Sequence, residues 1–164
     1  MFYEVELKGH IRVPPSLFDT DVEDAILSQL NSEFKGYISK DFGVVIAVSE
    51  VTTIGEGVII PGDGAAYYET IFKLYTFKPE LQEVVLGNIT QIEDFGAFMN
   101  LGPIDGMIHI SQTMDDFVSF SKSGVLSGKQ SKRNLKAGDD CRARIIAISF
   151  KEAKNPKTIV ITRI

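Results

Sequence analysis

The sequence has no tryptophan, a single cysteine and only two histidines in 164 residues. A lone thiol, Cys141, cannot close a disulfide within the chain, and it excludes a thiolate metal site. It lies in an alternating apolar run, which reads as a small buried hydrophobe rather than a reactive thiol. No apolar stretch approaches the roughly 20 residues that cross a bilayer. The opening Met1-Phe2-Tyr3-Glu4-Val5-Glu6 carries neither a basic region nor an apolar leader core. The expected location is therefore cytoplasmic, with no membrane partner. A phosphate loop is missing too. Neither Gly55-Glu56-Gly57 nor Gly62-Asp63-Gly64 is followed by Gly-Lys-Ser/Thr or by a helix whose N-terminus could hold phosphate.

The net charge of −5 argues against nucleic acid, yet its distribution matters more than the sum. Residues 1–80 hold 6 Lys+Arg against 13 Asp+Glu, a net −7. Residues 81–121 hold no basic residue and 6 acidic ones, whereas 122–164 hold 11 basic and 3 acidic, a net +8. The overall −5 thus hides an acidic front and a basic end, which points to two domains with different partners.

In the front part, Val5, Leu7 and Ile11 to Val13 predict an opening strand closed by Pro14-Pro15. Thr20, with Glu23 three residues on, predicts a capping box. The spacing of Val22, Ile26, Leu27, Leu30 and Phe34 predicts a helix that Gly36 stops and that packs one face on a sheet. That sheet is expected from Val44 to Val51, Val58 to Ile60 and Tyr67 to Phe77, all rich in β-branched and aromatic residues. Between the last two, Ile60-Pro61-Gly62-Asp63-Gly64 makes a glycine-edged turn carrying apolar residues, a candidate docking tip. The competing reading is an ordinary hairpin that turns its isoleucines inward. Pro79 marks the expected boundary between a domain at 1–79 and one at 80–164.

The most informative run is Phe95 to Ser111. Two strand-like pieces flank a turn at Gly102 to Gly106, predicting a hairpin. Alternation puts Ala97, Met99 and Leu101 on one face and Phe98 and Asn100 on the other; Ile108 and Ile110 oppose Met107 and His109. Phe98 and His109 then share the more polar face, where a ring and an imidazole suit the stacking of unpaired bases. A buried Phe98 with a surface-filling His109 is the alternative. Around the hairpin lie Val84 to Ile92, a long polar segment, Leu135 to Asp139, and two final strands at Cys141 to Ile148 and Thr158 to Thr162. Five short strands with an insertion between the third and fourth fit an all-β OB barrel.

Gly87, Phe95, Gly96, Phe98, Gly106, His109, Ser111 and Gly138-Asp139 fall at the spacings of the ribosomal S-one type RNA-binding domain. Gly62-Asp63-Gly64-Ala65, Asn100 to Gly106, Gln112 to Asp116 and Arg142-Ala143-Arg144-Ile145 extend the likeness over nearly the whole chain. Together they resemble the family of large stalk subunits of archaeal RNA polymerase, the E-prime type, itself similar to the seventh subunit of eukaryotic polymerase II. The resemblance implies an α+β first domain, a truncated ribonucleoprotein-like fold with one helix on an antiparallel sheet, whose tip docks at the clamp of the polymerase core. It implies a small partner subunit, F in archaea, and a second domain that meets emerging single-stranded RNA. Phe95, Phe98 and His109 inherit the RNA face by that resemblance. It further implies a non-catalytic part of a nucleotidyltransferase complex, without a cofactor of its own, that assists initiation, processivity and termination. One departure is plain: where the domain usually carries an acidic residue, this chain reads Ser149-Phe150-Lys151-Glu152-Ala153-Lys154, and Ser149 inherits no role. The family also usually continues past the last strand with an aromatic-containing tail, whereas this sequence ends at Ile164.

Among basic residues beyond the hairpin, Lys129, Lys132, Arg133, Arg142 and Arg144 are the candidates for phosphate contact, each against the alternative of a solvated surface position. Two rival functions remain distinct: a free-standing RNA-binding factor in translation or RNA decay, and a metal-dependent nuclease using Asp105, Asp115, Asp116, Asp139 and Asp140. The nuclease is disfavoured because adjacent aspartates point different ways and no partner with ligand spacing accompanies them. No metal site is expected. His10, isolated beside Gly9, reads as structural.

Overall fold

The computed structural model describes residues 1–121, 123–149 and 159–163, the last five as backbone only. The chain divides into two compact units, the first holding Phe2–Lys78 and the second beginning at Pro79.

In the first unit β1 spans Phe2–Val13, α1 Val22–Phe34, β2 Ile38–Ser39, β3 Gly43–Ile59 and β4 Ala66–Phe77. The sheet is antiparallel in the order β1-β4-β3-β2. Alternation in β1 sends Leu7, Ile11 and Val13 to one face, and Phe72 and Leu74 of β4 join them. Against that face α1 lays Ala25, Ile26 and Leu30, all buried, which closes the core with Val45.

Two expectations need correction here. The helix cap is Asp21, whose carboxylate accepts from the Glu23 amide at 3.2 Å. Thr20 instead spends its hydroxyl on the Leu17 carbonyl at 2.7 Å, which closes a short 3-10 turn at Pro15–Leu17. The stretches 44–51 and 58–60 are also one strand. β3 absorbs the extra residues at four register shifts against β4, the last between Ile54 and Gly57. Gly57 belongs there because the Tyr68 ring packs where a Cβ would stand.

The second unit contains β5 Val84–Glu93, β6 Gly96–Asn100, β7 Asp105–His109, β8 Val118–Ser121, β9 Val125–Gly128, β10 Asn134–Lys136, β11 Asp140–Ser149 and β12 Ile159–Arg163. Strands β11-β12-β7-β6-β5 close into a barrel, with β5 returning antiparallel to β11 and β12 running parallel to β7. Its interior holds Ile89, Ile92, Ala97, Met99, Ile108, Ala143 and Ile145. Gly87 and Gly96 sit where strands approach closely: a Cβ on either would overlap a backbone carbonyl, of Asn100 or Ile108. The hairpin turn is tighter than the sequence suggests. Gly102 takes a φ of +100° and donates to Asn100 Oδ1 at 2.6 Å, while Gly106 already lies in β7 opposite Met99.

The segment expected as a long polar insertion is itself a small antiparallel sheet, β10-β9-β8. Asp116 holds its loops together: the carboxylate accepts from the amides of Gln130 and Ser131, both at 2.8 Å, and from the Ser131 hydroxyl at 3.0 Å. Those donors, the Ser131 amide foremost, keep the Asp116 pKa below the usual carboxylate range.

Candidate nucleic-acid interface

The barrel's outward face is built by the same alternation that fills its interior. On β6, Ala97 and Met99 are buried, so Phe98 between them points out and stays partly exposed. On β7, Ile108 is buried, and His109 is exposed. Phe98 stands opposite Met107, and Gly96 stands opposite His109, so the ring and the imidazole are diagonal neighbours on one surface. Phe95, 45% exposed, meets Phe98 edge to face at 6.0 Å between centroids and 87° between planes. His109 Nδ1 accepts from the Ser111 amide at 3.3 Å and lies 2.8 Å from the Ser111 hydroxyl. That pairing turns Nδ1 inward and leaves Nε2 for solvent or a ligand. The three sequence-predicted residues are therefore brought together.

The predicted basic residues divide into two groups. On β11, Arg142 and Arg144 both point outward. Arg144 pairs with Arg163 of β12, whose neighbour Thr162 pairs with Ile108, so Arg144 and His109 flank one strand. Two strand spacings put their backbones about 10 Å apart, within reach of a short stretch of bases and phosphates. Arg142 lies one pleat farther along, about 7 Å, beside the exposed Leu86. Lys129, Lys132 and Arg133 lie instead on the inserted sheet, exposed, around the turn that Asp116 organises. Among the described residues, no hydrogen bond, ion pair or ring contact joins that turn to Phe95, Phe98 or His109. The segment from Phe150 to Lys154 lies outside the described residues.

Three of the five carboxylates that would serve a nuclease are occupied locally. Asp116 is held as above, Asp139 accepts from the Lys136 amide at 2.9 Å, and Asp140 bonds Asn88. Among the described residues no group of three or more His, Cys, Asp or Glu could hold a metal ion. Cys141 is half-buried, and burial pushes its thiol pKa up, away from reactivity.

The tip of the first unit is apolar and open. Val58, Ile59 and Ile60 are 61%, 64% and 46% exposed, so the inward-facing alternative fails. Gly62 and Gly64 turn the chain with φ of +96° and +71°. Asp63 fixes the turn in a way the sequence reading missed. Arg12 of β1 grips its carboxylate with two hydrogen bonds, 2.9 and 2.7 Å, and the Tyr67 hydroxyl of β4 adds a third at 2.6 Å. The guanidinium first, then the hydroxyl, hold Asp63 down to a pKa of about 2. Beneath the tip, Leu17, Phe18, Val22, Ile59 and Tyr68 line a shallow apolar groove of about 210 Å³.

Comparison with known proteins identifies the two units. Residues 8–64 match the SHS2 domain found in N terminus of Rpb7p/Rpc25p/MJ0397, and residues 78–154 match the S1 RNA binding domain. The chain is 38% identical over 158 residues to DNA-directed RNA polymerase subunit Rpo7 of Sulfolobus acidocaldarius, covering 96% of this chain and 86% of that protein. It belongs to the Rpo7 family of RNA polymerase subunits. More distant relatives are subunit RPC8 of yeast RNA polymerase III, 35% identical over 70% of this chain and 54% of that one, and Arabidopsis RNA polymerase II subunit 7, 23% identical over 92% and 85%. As an Rpo7-type chain it is an archaeal-type, non-catalytic subunit of a DNA-directed RNA polymerase. Its SHS2 unit is the single helix on an antiparallel sheet, and its S1 unit is the OB-type barrel carrying the aromatic face. No helix among the described residues is long and apolar enough to cross a membrane.

Proposed function

We propose that this Rpo7-family chain is the stalk subunit that docks on the polymerase clamp through its first-domain tip, pairs with a small F-type subunit, and holds emerging single-stranded RNA on its barrel. The cluster of Phe95, Phe98 and His109 on one outward face carries the reading. Exposed rings beside a fixed imidazole offer stacking surfaces that tolerate any base sequence. Arg144, across one strand, supplies a phosphate contact, with Arg142 farther out and Lys129, Lys132 and Arg133 on the insertion. The exposed Val58, Ile59 and Ile60 support the docking role, since an apolar tip held rigid by Asp63 gains only when a partner covers it. In this reading the domains are 1–79 for docking and 80–164 for RNA, and the stalk assists initiation, processivity and termination.

Fluorescence anisotropy with labelled oligouridylate tests the RNA face. Phe98→Ala should weaken binding by about 1–3 kcal/mol, the value of one stacked base, with the salt dependence unchanged. Arg144→Ala should instead lower the log-log salt slope by about 0.7. Unchanged affinity in both variants would show that this face does not bind RNA.

A further inference from the structure

We propose that the inserted sheet is a second platform for single-stranded RNA, centred on Phe117 and Lys129 and separate from the barrel face. The inference rests on the RNA-binding reading above and extends it to a site the family motif does not contain. Phe117 is 70% exposed, second only to Leu86 among the large apolar side chains of the described residues. Lys129 stands over one face of its ring, with Nζ 4.7 Å from the centroid. A lysine on one face leaves the other free for a base and puts a cation where the phosphate of that nucleotide would pass. Phe120, three residues on, is 38% exposed and adds a second ring.

The charge around these rings favours RNA over a protein. From Phe117 to Gly138 the sequence has five basic residues, Lys122, Lys129, Lys132, Arg133 and Lys136, and no Asp or Glu. Asp116, at the edge, directs its carboxylate onto the amides of Gln130 and Ser131 rather than into an ion pair with one of these cations. The same bonds pin the loop that carries Lys129, Lys132 and Arg133, so the cations are presented on an ordered turn rather than a floppy tail. An aromatic ring with an attendant lysine on an all-basic segment is the electrostatic funnel and stacking surface that unpaired nucleic acid needs.

Anisotropy titrations of the full chain with labelled oligouridylate, run on Phe117→Ala, Phe117→Tyr, Lys129→Gln and Phe98→Ala, test this. Phe117→Ala should weaken binding about tenfold at an unchanged salt slope, while Phe117→Tyr, which keeps the ring, stays within about twofold. Lys129→Gln should lower the log-log salt slope by about 0.7. If Phe98→Ala weakens binding and Phe117→Ala does not, the barrel face stands and the second platform is refuted. If Phe117→Ala weakens binding and Phe98→Ala does not, the platform stands and the barrel reading falls. A Phe117→Tyr loss as large as that of Phe117→Ala, or a wild-type chain with no affinity for oligouridylate, overturns the platform. So does a Phe117→Ala effect confined to binding of another polymerase component.

Discussion

Replacing Val58 and Ile59 together by threonine tests the docking tip. Threonine keeps the β-branched shape that suits the strand and removes most of the apolar gain on burial. Fully covering a valine or isoleucine side chain is worth about 1.5–3 kcal/mol, and roughly three-fifths of each residue's surface is still open, so a partner that closes over them gains about 1–2 kcal/mol apiece. The double variant should therefore lose about 2–4 kcal/mol of affinity for polymerase core lacking the stalk, a factor of about 30 to 900. Folding should be nearly untouched, because changes at exposed positions usually stay within about 0.5 kcal/mol each. Biolayer interferometry on immobilised core, beside thermal unfolding of the free chain, separates the two effects. A double variant that folds normally and binds core as tightly as wild type would refute the docking argument.

Other substitutions probe the scaffold. Leu30→Ala, at a fully buried helix position against Phe72 and Leu74, should cost about 2–5 kcal/mol in chemical denaturation. Gly96→Ala should strain the β6–β7 pairing at the Ile108 carbonyl and lower both the melting temperature and RNA affinity. The Asp63 clamp has a defined pH window. Its folded pKa, near 2, lies below the ordinary value of about 4, so its stabilisation is complete above pH 4 and is lost as pH falls toward 2. Carboxyl NMR titration should show that low midpoint, and Arg12→Ala should move it up; a wild-type midpoint near 4 would remove the clamp. Asp116→Ala should speed hydrogen exchange at the amides of Gln130 and Ser131, which lose their acceptor.

What the sequence made legible follows from the range of the interactions involved. Period-3.6 spacing found α1 and period-2 alternation found the outward placement of Phe98 and His109, because burial on one side imposes both patterns locally. The cap went one residue astray because Thr20 and Asp21 can both accept, and the short 3-10 turn before them claims the Thr20 hydroxyl. The glycines at 55 and 57 read as a break, yet β3 runs through them: its bulges are defined by the facing strand β4. Arg12 and Asp63 are 51 residues apart, and only the pairing of β1 with β4 beside the tip brings them together. The inserted sheet escaped notice since its strands are only three or four residues long, too short for an alternating pattern to stand out, and Phe117 showed its open ring only in three dimensions.

Photocrosslinking from a nascent transcript bearing 4-thiouridine, in an elongation complex rebuilt with this chain, tests the central claim most directly. Once the transcript is long enough to emerge, adducts should form on the peptide containing Phe95, Phe98 and His109, and Phe98→Ala should reduce them. A complex that contains the chain but yields no adduct on it at any transcript length would contradict the account.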